Sequence, residues 1–331
     1  MAGANDKKII VFYILEILKK YSDENHLLNY SDIMEKLNTN YDIRPDIKTI
    51  ASNIGTLTDA GYQIVKCGNF GCYLAERDFE EGELMYLVDA VNSSNSISAK
   101  QVKELIDKLT KSCSKYQKNK YKATHKVDYV TKSKNKEIFY IIETLNEAIE
   151  KGVKVSFHYN EYKVSKELQP RFQGKVFTIN PYFLVNSRGR YYLVCNYDKY
   201  NDISNYKVDC ISGIKLLDEP VKPMSSLDGM EDFSKDKYIK EHIYMTFGKS
   251  VNAVLKVDEP KYIGDIIEWF GDGVSISEDK ENNILIRMKV NEQALVYWAM
   301  QYGEHIEVLE PKDTRMKIKN TLQSVLDKYR E

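Results

Sequence analysis

A short segment at 46–60 carries polar side chains that could recognise nucleic acid. Its apolar residues recur at helical spacing and predict a helix with one buried side; they are Ile47, Ile50, Ile54 and Leu57. The opposite side carries hydroxyl, amide and amine groups: Lys48, Thr49, Ser52, Asn53 and Thr56. Such groups hydrogen-bond base edges and phosphates when a helix lies in the major groove of DNA. The segment predicts a recognition helix; the other interpretation is an ordinary polar helix surface.

Basic and amide residues on either side of this helix extend the candidate DNA contact. Arg44 lies just before the helix, and Lys66 and Asn69 lie in a following segment with hairpin turn residues. The helix is poor in arginine, which weakens the signal for phosphate binding. The predicted DNA-binding residues are Arg44, Lys48, Thr49, Ser52, Asn53, Lys66 and Asn69.

The elements around these residues follow a definite order. Apolar residues at helical spacing predict two short helices before this one. Pro45 and Gly61 suit the start and the end of the third helix. Two short strands around Gly68 and Asn69 then complete the order helix, helix, helix, hairpin. That order is typical of a winged helix-turn-helix, and we predict such a DNA-binding domain at 1–79.

Residues 80–136 are predicted to form a helical and basic linker. Two helical stripes are separated by the polar run SSNSIS, in which Ser98 can cap the second helix. Twelve lysines lie from Lys100 to Lys136, and three acidic residues oppose them. This run fits either a solvated helix face or a stripe that follows phosphates. The apolar stripes fit either a dimer seam or packing on the first domain.

The second half of the chain predicts two β-containing domains. After a helix at about 136–150, several short strands at close spacing predict a small, strongly bent sheet or barrel at 137–222. Strands and helices then alternate in the order βαβαβα, which predicts a small α+β sandwich at 245–331. The predicted fold class is therefore multidomain α+β.

The composition of the chain and the absence of known catalytic motifs reduce the number of protein classes to consider. The formal net charge is −1 and hydrophobic residues make up 43% of the chain, a globular balance. No P-loop, GxSxG, HExxH or helix-opening GxGxxG motif is found, so we expect neither an enzyme nor a cofactor. The five cysteines are scattered and lack zinc-site spacing, so we expect reduced thiols and no metal. We expect no signal peptide and no membrane helix, and hence a cytoplasmic protein.

Several motifs resemble the WYL-domain transcriptional regulators. YYLVCNYD and YKVDCI resemble late strands of the WYL domain, with Tyr191, Tyr192 and Leu193 at the triplet that names it. GYQIVKCGNFGCYLAERDF resembles the family's wing, and ALVYWAMQYGEHIEVLEPKDTRMKIKNTL resembles its C-terminal WCX extension. The resemblance implies a homodimer with an Sm-like β-barrel that senses a nucleotide or nucleic-acid fragment. Cys210 and Ser52 depart from the family at positions that are commonly basic.

The resemblance and the residue types together suggest a sensing pocket. Its predicted effector-binding residues are His158, Tyr159, Arg171, Tyr182, Tyr192 and Lys207. The basic members could hold phosphate oxygens, and the tyrosines could stack on a base. Neighbouring residues of a strand point to opposite faces, so only one of His158 and Tyr159 can enter the pocket. The tyrosines could instead be core or rim aromatics of a barrel.

Two hypotheses follow from the sequence. The first is ligand-gated binding to double-stranded DNA by a homodimer, with the effector in the β-domain. The second is an accessory protein that binds single-stranded nucleic acid or a protein partner through the β-domain. The scarcity of arginine in the third helix keeps the second hypothesis open.

Overall fold

The computed structural model describes residues 4–124, 132–230 and 233–330 of the chain. The chain divides into two compact units, Met1–Lys132 (unit 1) and Ser133–Glu331 (unit 2). Both contain helices and strands, so the fold is mixed α+β. Part of the predicted basic linker, 125–131, lies outside the described residues. None of the described helices is long and apolar enough to cross a membrane.

Unit 1 begins with three helices, and side chains cap the second and third at their starts. Its elements are α1 (Ala4–Tyr21), α2 (Tyr30–Tyr41), α3 (Ile47–Asp59), β1 (Ile64–Lys66), β2 (Cys72–Leu74), α4 (Glu81–Ser93), α5 (Ala99–Leu109) and α6 (Lys115–Thr124). Asn29 caps α2 and Asp46 caps α3, each accepting a hydrogen bond from a backbone N–H of the first turn. These bonds satisfy backbone N–H groups that have no partner within the helix at its N-terminus. Aliphatic residues of all three helices then form one core: Ile14, Leu18, Ile33, Leu37, Ile50 and Ile54.

The hairpin after α3 is anchored to the chain segment before α2. Strands β1 and β2 pair antiparallel, and Lys66 lies opposite Cys72. Leu28 extends this sheet, because its N–H and C=O both exchange 2.9 Å hydrogen bonds with the backbone of Cys72. Gly71 allows the approach, since a Cβ there would lie 2.6 Å from the Leu28 carbonyl oxygen. The predicted order of three helices and a hairpin is therefore present, and the hairpin is fixed at its base.

Helices α4, α5 and α6 form a smaller cluster within unit 1. Ser98 caps α5 as predicted, with its hydroxyl oxygen accepting from the Gln101 N–H at 3.3 Å. Leu84 and Val88 of α4 are buried against Tyr121 of α6. The apolar side of α4 is therefore covered inside the unit. Helix α6 was not predicted as a separate helix, because its ten residues are mostly polar.

Unit 2 begins with a helix and a bent six-stranded sheet. The elements of unit 2 are α7 (Ile138–Lys151), β3 (Val153–Tyr162), β4 (Leu168–Pro170), β5 (Val176–Ser187), β6 (Arg190–Tyr197), β7 (Ser204–Lys207), β8 (Ile211–Pro220), α8 (Lys235–Glu241), β9 (Ser250–Val257), α9 (Ile263–Phe270), β10 (Ser275–Glu278), β11 (Ile284–Asn291), α10 (Glu292–Tyr302), β12 (Ile306–Glu310) and α11 (Lys312–Lys328). The first sheet has the order β4-β3-β5-β6-β7, and β8 also pairs with β3. Register shifts interrupt the β3–β8 and β5–β6 ladders, and such irregularities bend a sheet. Among the described strands no ladder joins β7 to β8, so closure into a barrel stays a prediction.

The last part of unit 2 folds as βαββαβα. Its four strands are antiparallel in the order β10-β11-β9-β12, the arrangement of a ferredoxin-like split βαβ unit. Trp298 is fully buried in its core, edge-on to Phe270. The sequence predicted βαβαβα and so missed β10, whose residues SISE give no run of apolar alternation. It also missed α8, which lies in a polar stretch.

Candidate nucleic-acid interface and effector site

Helix α3 presents a polar side while Ile50, Ile54 and Leu57 of its apolar side are buried. Ile47 was predicted to be buried with them, but it lies in the first turn and is 52% exposed. Lys48, Ser52 and Thr56 are exposed, and Thr49 and Asn53 are half-buried. The Asn53 amide donates to the Thr49 backbone oxygen at 2.7 Å, and the Thr56 hydroxyl donates to the Ser52 oxygen at 3.1 Å. These bonds orient both side chains along the helix and leave their oxygens able to accept further hydrogen bonds. The five side chains predicted on the outward side of α3 therefore follow one another over about two helical turns.

The start of α3 carries a carboxylate rather than a cation. Hydrogen bonds from Thr49 to Asp46 lower the pKa of the Asp46 carboxyl below its usual value. This negative charge occupies the helix N-terminus, where a phosphate would otherwise be attracted. Arg44 is exposed, and its Nε donates to the Asn38 side-chain oxygen at 2.6 Å. Lys48 is therefore the one cation that α3 itself offers to a phosphate, and Arg44 before the helix is held by Asn38.

The hairpin places Lys66 and Asn69 at the surface. Both are exposed, and together with Tyr30 they line a small cavity of about 250 Å³. The tip also carries Phe70, whose side chain is 81% exposed. Sequence reasoning did not select Phe70, although an aromatic residue in a predicted turn is a signal that could have found it.

Arg77 is a second residue that the sequence did not reveal. Its guanidinium is partly buried and donates to three backbone oxygens, those of Lys19, Ser22 and Ser112, at 3.0, 2.6 and 2.8 Å. Burial lowers the pKa of Arg77 from its usual value. The contact joins the end of α1 to the loop between α5 and α6. Arg77 is therefore a positioning residue that ties the three-helix core to the second helical cluster.

In unit 2, the side chains of two predicted effector residues, Tyr159 and Arg171, lie near one unpredicted tyrosine, Tyr206. The ring of Tyr159 packs edge-on to that of Tyr206 with centroids 4.8 Å apart. The Tyr159 hydroxyl oxygen accepts from the Lys207 backbone N–H at 3.3 Å. The positive charge of Arg171 acts on the Tyr206 hydroxyl, whose pKa burial nevertheless raises to about 12. Tyr159 and Arg171 therefore belong to one neighbourhood. Lys207 joins it only through its backbone, because its side chain lies on the same face of the sheet as Tyr192.

The other three predicted effector residues lie elsewhere. Tyr192 is the cross-strand partner of Lys207, whereas Tyr206 pairs with the next residue along, so Tyr192 and Tyr206 lie on opposite faces of the sheet. Tyr182 packs with Tyr192 on a separate apolar cluster, and its hydroxyl donates to the Lys222 backbone oxygen at 2.9 Å. His158 points to the face opposite Tyr159, as strand geometry requires. The six predicted residues therefore do not line one pocket.

An exposed aromatic residue borders the Tyr206 neighbourhood. Phe172 is 61% exposed, and the Arg171 guanidinium lies over its ring at 4.7 Å. Phe172 and Gln173 have φ values of 49° and 55°, a left-handed conformation that non-glycine residues rarely adopt. Residues with strained backbone conformations of this kind cluster at ligand sites. Phe172 was missed because neither its exposure nor its backbone conformation can be read from the sequence.

The same aromatic group continues inward from Phe172. Its ring is 6.3 Å from that of Phe177, which is 6.0 Å from that of Tyr206. Lys175 lies over Phe177 at 5.4 Å. We call Arg171, Phe172, Lys175, Phe177 and Tyr206 the aromatic-basic patch. Phe177 is buried, so the exposed ring of Phe172 is the surface of the patch that can stack on a base, with the cations beside it able to hold a phosphate. Glu161 already pairs with Arg171 at 3.4 Å.

A buried ion pair lies at the start of β6, where Arg190 is the first residue of the strand. Arg190 donates to the Asp209 carboxylate at 2.6 Å, and Asp209 is only 2% exposed. Burial raises the pKa of the Asp209 carboxyl, although the nearby Arg190 acts in the opposite direction. The described residues contain no group of three or more side chains suited to hold a metal ion. The five cysteines are free thiols.

Two domain-family models match unit 2. The WYL domain model matches residues 140–216, and the WCX domain model matches residues 249–326. These matches confirm the resemblance seen in the residue motifs. One relative, an uncharacterized HTH-type transcriptional regulator YobV of Bacillus subtilis (strain 168), is 25% identical over 301 residues. That similarity covers 86% of this chain and 90% of the relative.

Two solved structures are similar at lower identity. Proteasome accessory factor B/C (PafBC) of Arthrobacter aurescens is 14% identical with a TM-score of 0.28, over 97% of this chain. This chain spans about half of that protein, since the match covers 49% of it. A CRISPR Cas-related protein is 16% identical with a TM-score of 0.38, over 99% of this chain and 87% of the other. Both TM-scores are low, and neither similarity supports an inference about function.

Proposed function

We propose that this chain, in which residues 140–216 match the WYL domain model and residues 249–326 the WCX domain model, is a DNA-binding transcriptional regulator. The proposal depends on one observation: α3 packs Ile50, Ile54 and Leu57 into the core and is exposed at Lys48, Ser52 and Thr56. An anchored hairpin follows α3, as in a winged helix-turn-helix. The 25% identical relative, named as an HTH-type transcriptional regulator, supports the same function.

The WYL domain has the role of effector sensor in this proposal. The effector is a nucleotide or nucleic-acid fragment, which binds the aromatic-basic patch through base stacking and phosphate contacts. Its binding shifts a homodimer between states with different affinities for duplex DNA. The domains proposed for this mechanism are a winged helix-turn-helix at 1–79, a linker at 80–136, an Sm-like WYL barrel at 137–222 and a WCX domain at 245–331. The regulator acts in the cytoplasm and catalyses no reaction.

Duplex affinity measured against salt concentration tests the proposal. The wild-type chain should bind a duplex selected from a random-sequence library, and its affinity should fall steeply as salt rises. Lys48→Ala should weaken binding by roughly tenfold and flatten the salt dependence by about one phosphate contact. Lys280→Ala is the matched control, because it removes an exposed lysine from a turn of unit 2. Absence of salt-dependent duplex binding by the wild type would refute the proposal.

The aromatic-basic patch favours a second candidate function. An accessory protein could bind single-stranded nucleic acid at the patch and use unit 1 only for assembly. The exposed ring of Phe172 beside Arg171 is the observation that favours this alternative. It predicts tighter binding to single strands than to any duplex, and loss of that binding in a variant combining Arg171→Ala and Lys175→Ala, the two cations of the patch. Equal binding by the double variant would remove the alternative.

A further inference from the structure

The hairpin tip of unit 1 carries a large apolar side chain that contributes little to any core. Phe70 is 81% exposed, more than any other phenylalanine among the described residues. An exposed ring of this size forgoes roughly 2 kcal/mol of burial energy. The core of the three helices is complete without it, since its buried members come from α1, α2, α3, β2 and Leu28. The ring of Phe70 is therefore available to a partner of unit 1.

The backbone holds this ring in a defined place. The Phe70 N–H donates to the Cys67 oxygen at 3.1 Å, and the Cys67 N–H donates to the Gly71 oxygen at 2.8 Å. Gly71 is in turn pressed against the Leu28 backbone at the base of the hairpin. A tip closed by hydrogen bonds and anchored in this way presents the ring at little entropic cost on binding.

The charges around the ring suit a polyanion. No acidic residue occurs at 61–75, the whole hairpin with its flanks. Lys66 and Asn69 are exposed close to the tip and can contact phosphates and sugars. An apolar ring framed by a cation and an amide matches the wedges that proteins insert between stacked base pairs from the minor groove.

The hairpin follows α3 closely along the chain. Strand β1 begins five positions after α3 ends, and its three residues span about 10 Å. The major groove is about 12 Å wide. The hairpin is therefore comparable in length to the width of that groove, so with α3 in the groove its tip could reach across the phosphate backbone to the neighbouring minor groove.

We propose that Phe70 is a wedge that enters the minor groove of duplex DNA and unstacks one base step beside the site occupied by α3. This inference rests on the proposed function, because it requires duplex binding by unit 1. It assigns the hairpin a role in bending DNA rather than only in contacting phosphates. It also predicts a preference for flexible pyrimidine–purine steps under the tip, since these steps unstack most easily.

The test uses the full chain and a duplex of about 30 base pairs recovered from a random-sequence library by binding to the wild type. End-to-end fluorescence energy transfer measures bending, and 2-aminopurine placed at successive positions measures unstacking. The wild type should bend the duplex and raise the 2-aminopurine signal at one step. Phe70→Ala should abolish both changes and weaken binding by about tenfold. Phe70→Leu should retain part of both, because leucine is also used as a wedge.

A matched control separates insertion of this ring from a general loss of exposed aromatic surface. Phe12→Ala removes an exposed ring from α1, and it should leave bending and unstacking unchanged. The unfolding temperatures of Phe12→Ala and Phe70→Ala should match that of the wild type, because both rings are mostly exposed. A change in DNA bending by the Phe70 variant then reports the ring itself and not the stability of unit 1.

The outcomes distinguish the wedge from the proposed function. If the library yields no duplex with salt-dependent binding, the proposed function fails and the wedge fails with it. If the wild type binds, Lys48→Ala weakens binding, and Phe70→Ala leaves affinity, bend and 2-aminopurine signal unchanged, then only the wedge is overturned. A ring that instead contacts a protein partner would give this second result.

Discussion

The candidate DNA surface and the candidate effector site are built in opposite ways. In unit 1, Lys48, Ser52 and Thr56 come from successive turns of one helix, so the backbone geometry of that helix alone fixes their spacing. In unit 2, Tyr159 and Lys207 are 48 positions apart and meet only because several strands pair in the right register. A site on one helix tolerates small shifts of its surroundings, whereas a site made by strand pairing changes with a one-residue slip.

The two regions also differ in backbone strain. Every residue of α3 is helical, and its starting cap is satisfied by Asp46. The aromatic-basic patch instead includes Phe172, which with the adjacent Gln173 adopts the left-handed conformation. The candidate DNA surface is therefore locally relaxed and depends on its neighbours mainly for anchoring, while the candidate effector site holds backbone strain that strand pairing must maintain.

The largest expected effect comes from breaking the long-range anchor of the hairpin beside the DNA surface. Gly71→Ala adds a Cβ 2.6 Å from the Leu28 carbonyl oxygen, at a φ of 129° that alanine rarely adopts. We expect a loss of about 3 kcal/mol in the free energy of unfolding, through strain and displacement of the hairpin. Chemical denaturation measures the loss, and hydrogen exchange should locate it in unit 1.

Gly68→Ala is the matched control for this prediction. Gly68 also has a positive φ, 57°, but no atom lies within 4 Å of its added Cβ. The expected loss is therefore only about 1 kcal/mol, the conformational cost alone. Equal losses for the two variants would show that the contact with Leu28 does not anchor the hairpin.

The same contrast accounts for what the sequence could predict. The outward side of α3, the cap by Ser98 and the order of three helices and a hairpin follow from local spacing, and the structure has them. The grouping of the six effector residues could not be predicted in this way, because register places Tyr192 and Tyr206 on opposite faces. Phe172 and Arg77 were missed since exposure and backbone-oxygen contacts have no sequence pattern.

A smaller effect is expected where unit 1 is joined to its second helical cluster. Arg77→Met keeps the apolar stem but removes the donors to the Lys19, Ser22 and Ser112 oxygens. We expect a loss of about 2 kcal/mol in the free energy of unfolding, because partly buried carbonyl groups lose charged donors. Lys103→Met, at an exposed position of α5, should change the stability by less than about 0.5 kcal/mol. Similar stability of the Arg77 variant and the wild type would mean that the two clusters are joined by other contacts.

In unit 2, the contribution of one exposed ring to effector binding can be measured directly. Phe172→Ala removes the stacking surface beside Arg171 and should weaken binding of a short single-stranded oligonucleotide by about tenfold. Fluorescence anisotropy with a labelled oligonucleotide gives the affinity. Tyr200→Ala, which removes another exposed aromatic ring of the same domain, is the control. An unchanged affinity of the Phe172 variant would show that the ring does not bind the oligonucleotide, and that the backbone strain at 172 does not mark a ligand site.

The smallest expected effect concerns the pH dependence of the pair formed by Arg190 and Asp209. Burial raises the pKa of the Asp209 carboxyl, so the folded chain binds this proton more tightly than the unfolded chain does. The binding of this proton therefore contributes fully to the free energy of unfolding at a pH below about 4, the usual pKa of a carboxyl. That contribution is lost as the pH rises through the raised pKa of Asp209. Asp209→Asn stays neutral throughout, so its stability relative to the wild type should improve from about pH 4 to pH 7. Chemical denaturation of both proteins across this range gives the difference in their free energies of unfolding. If the wild type instead becomes more stable relative to the variant as the pH rises, the attraction of Arg190 outweighs the effect of burial on Asp209.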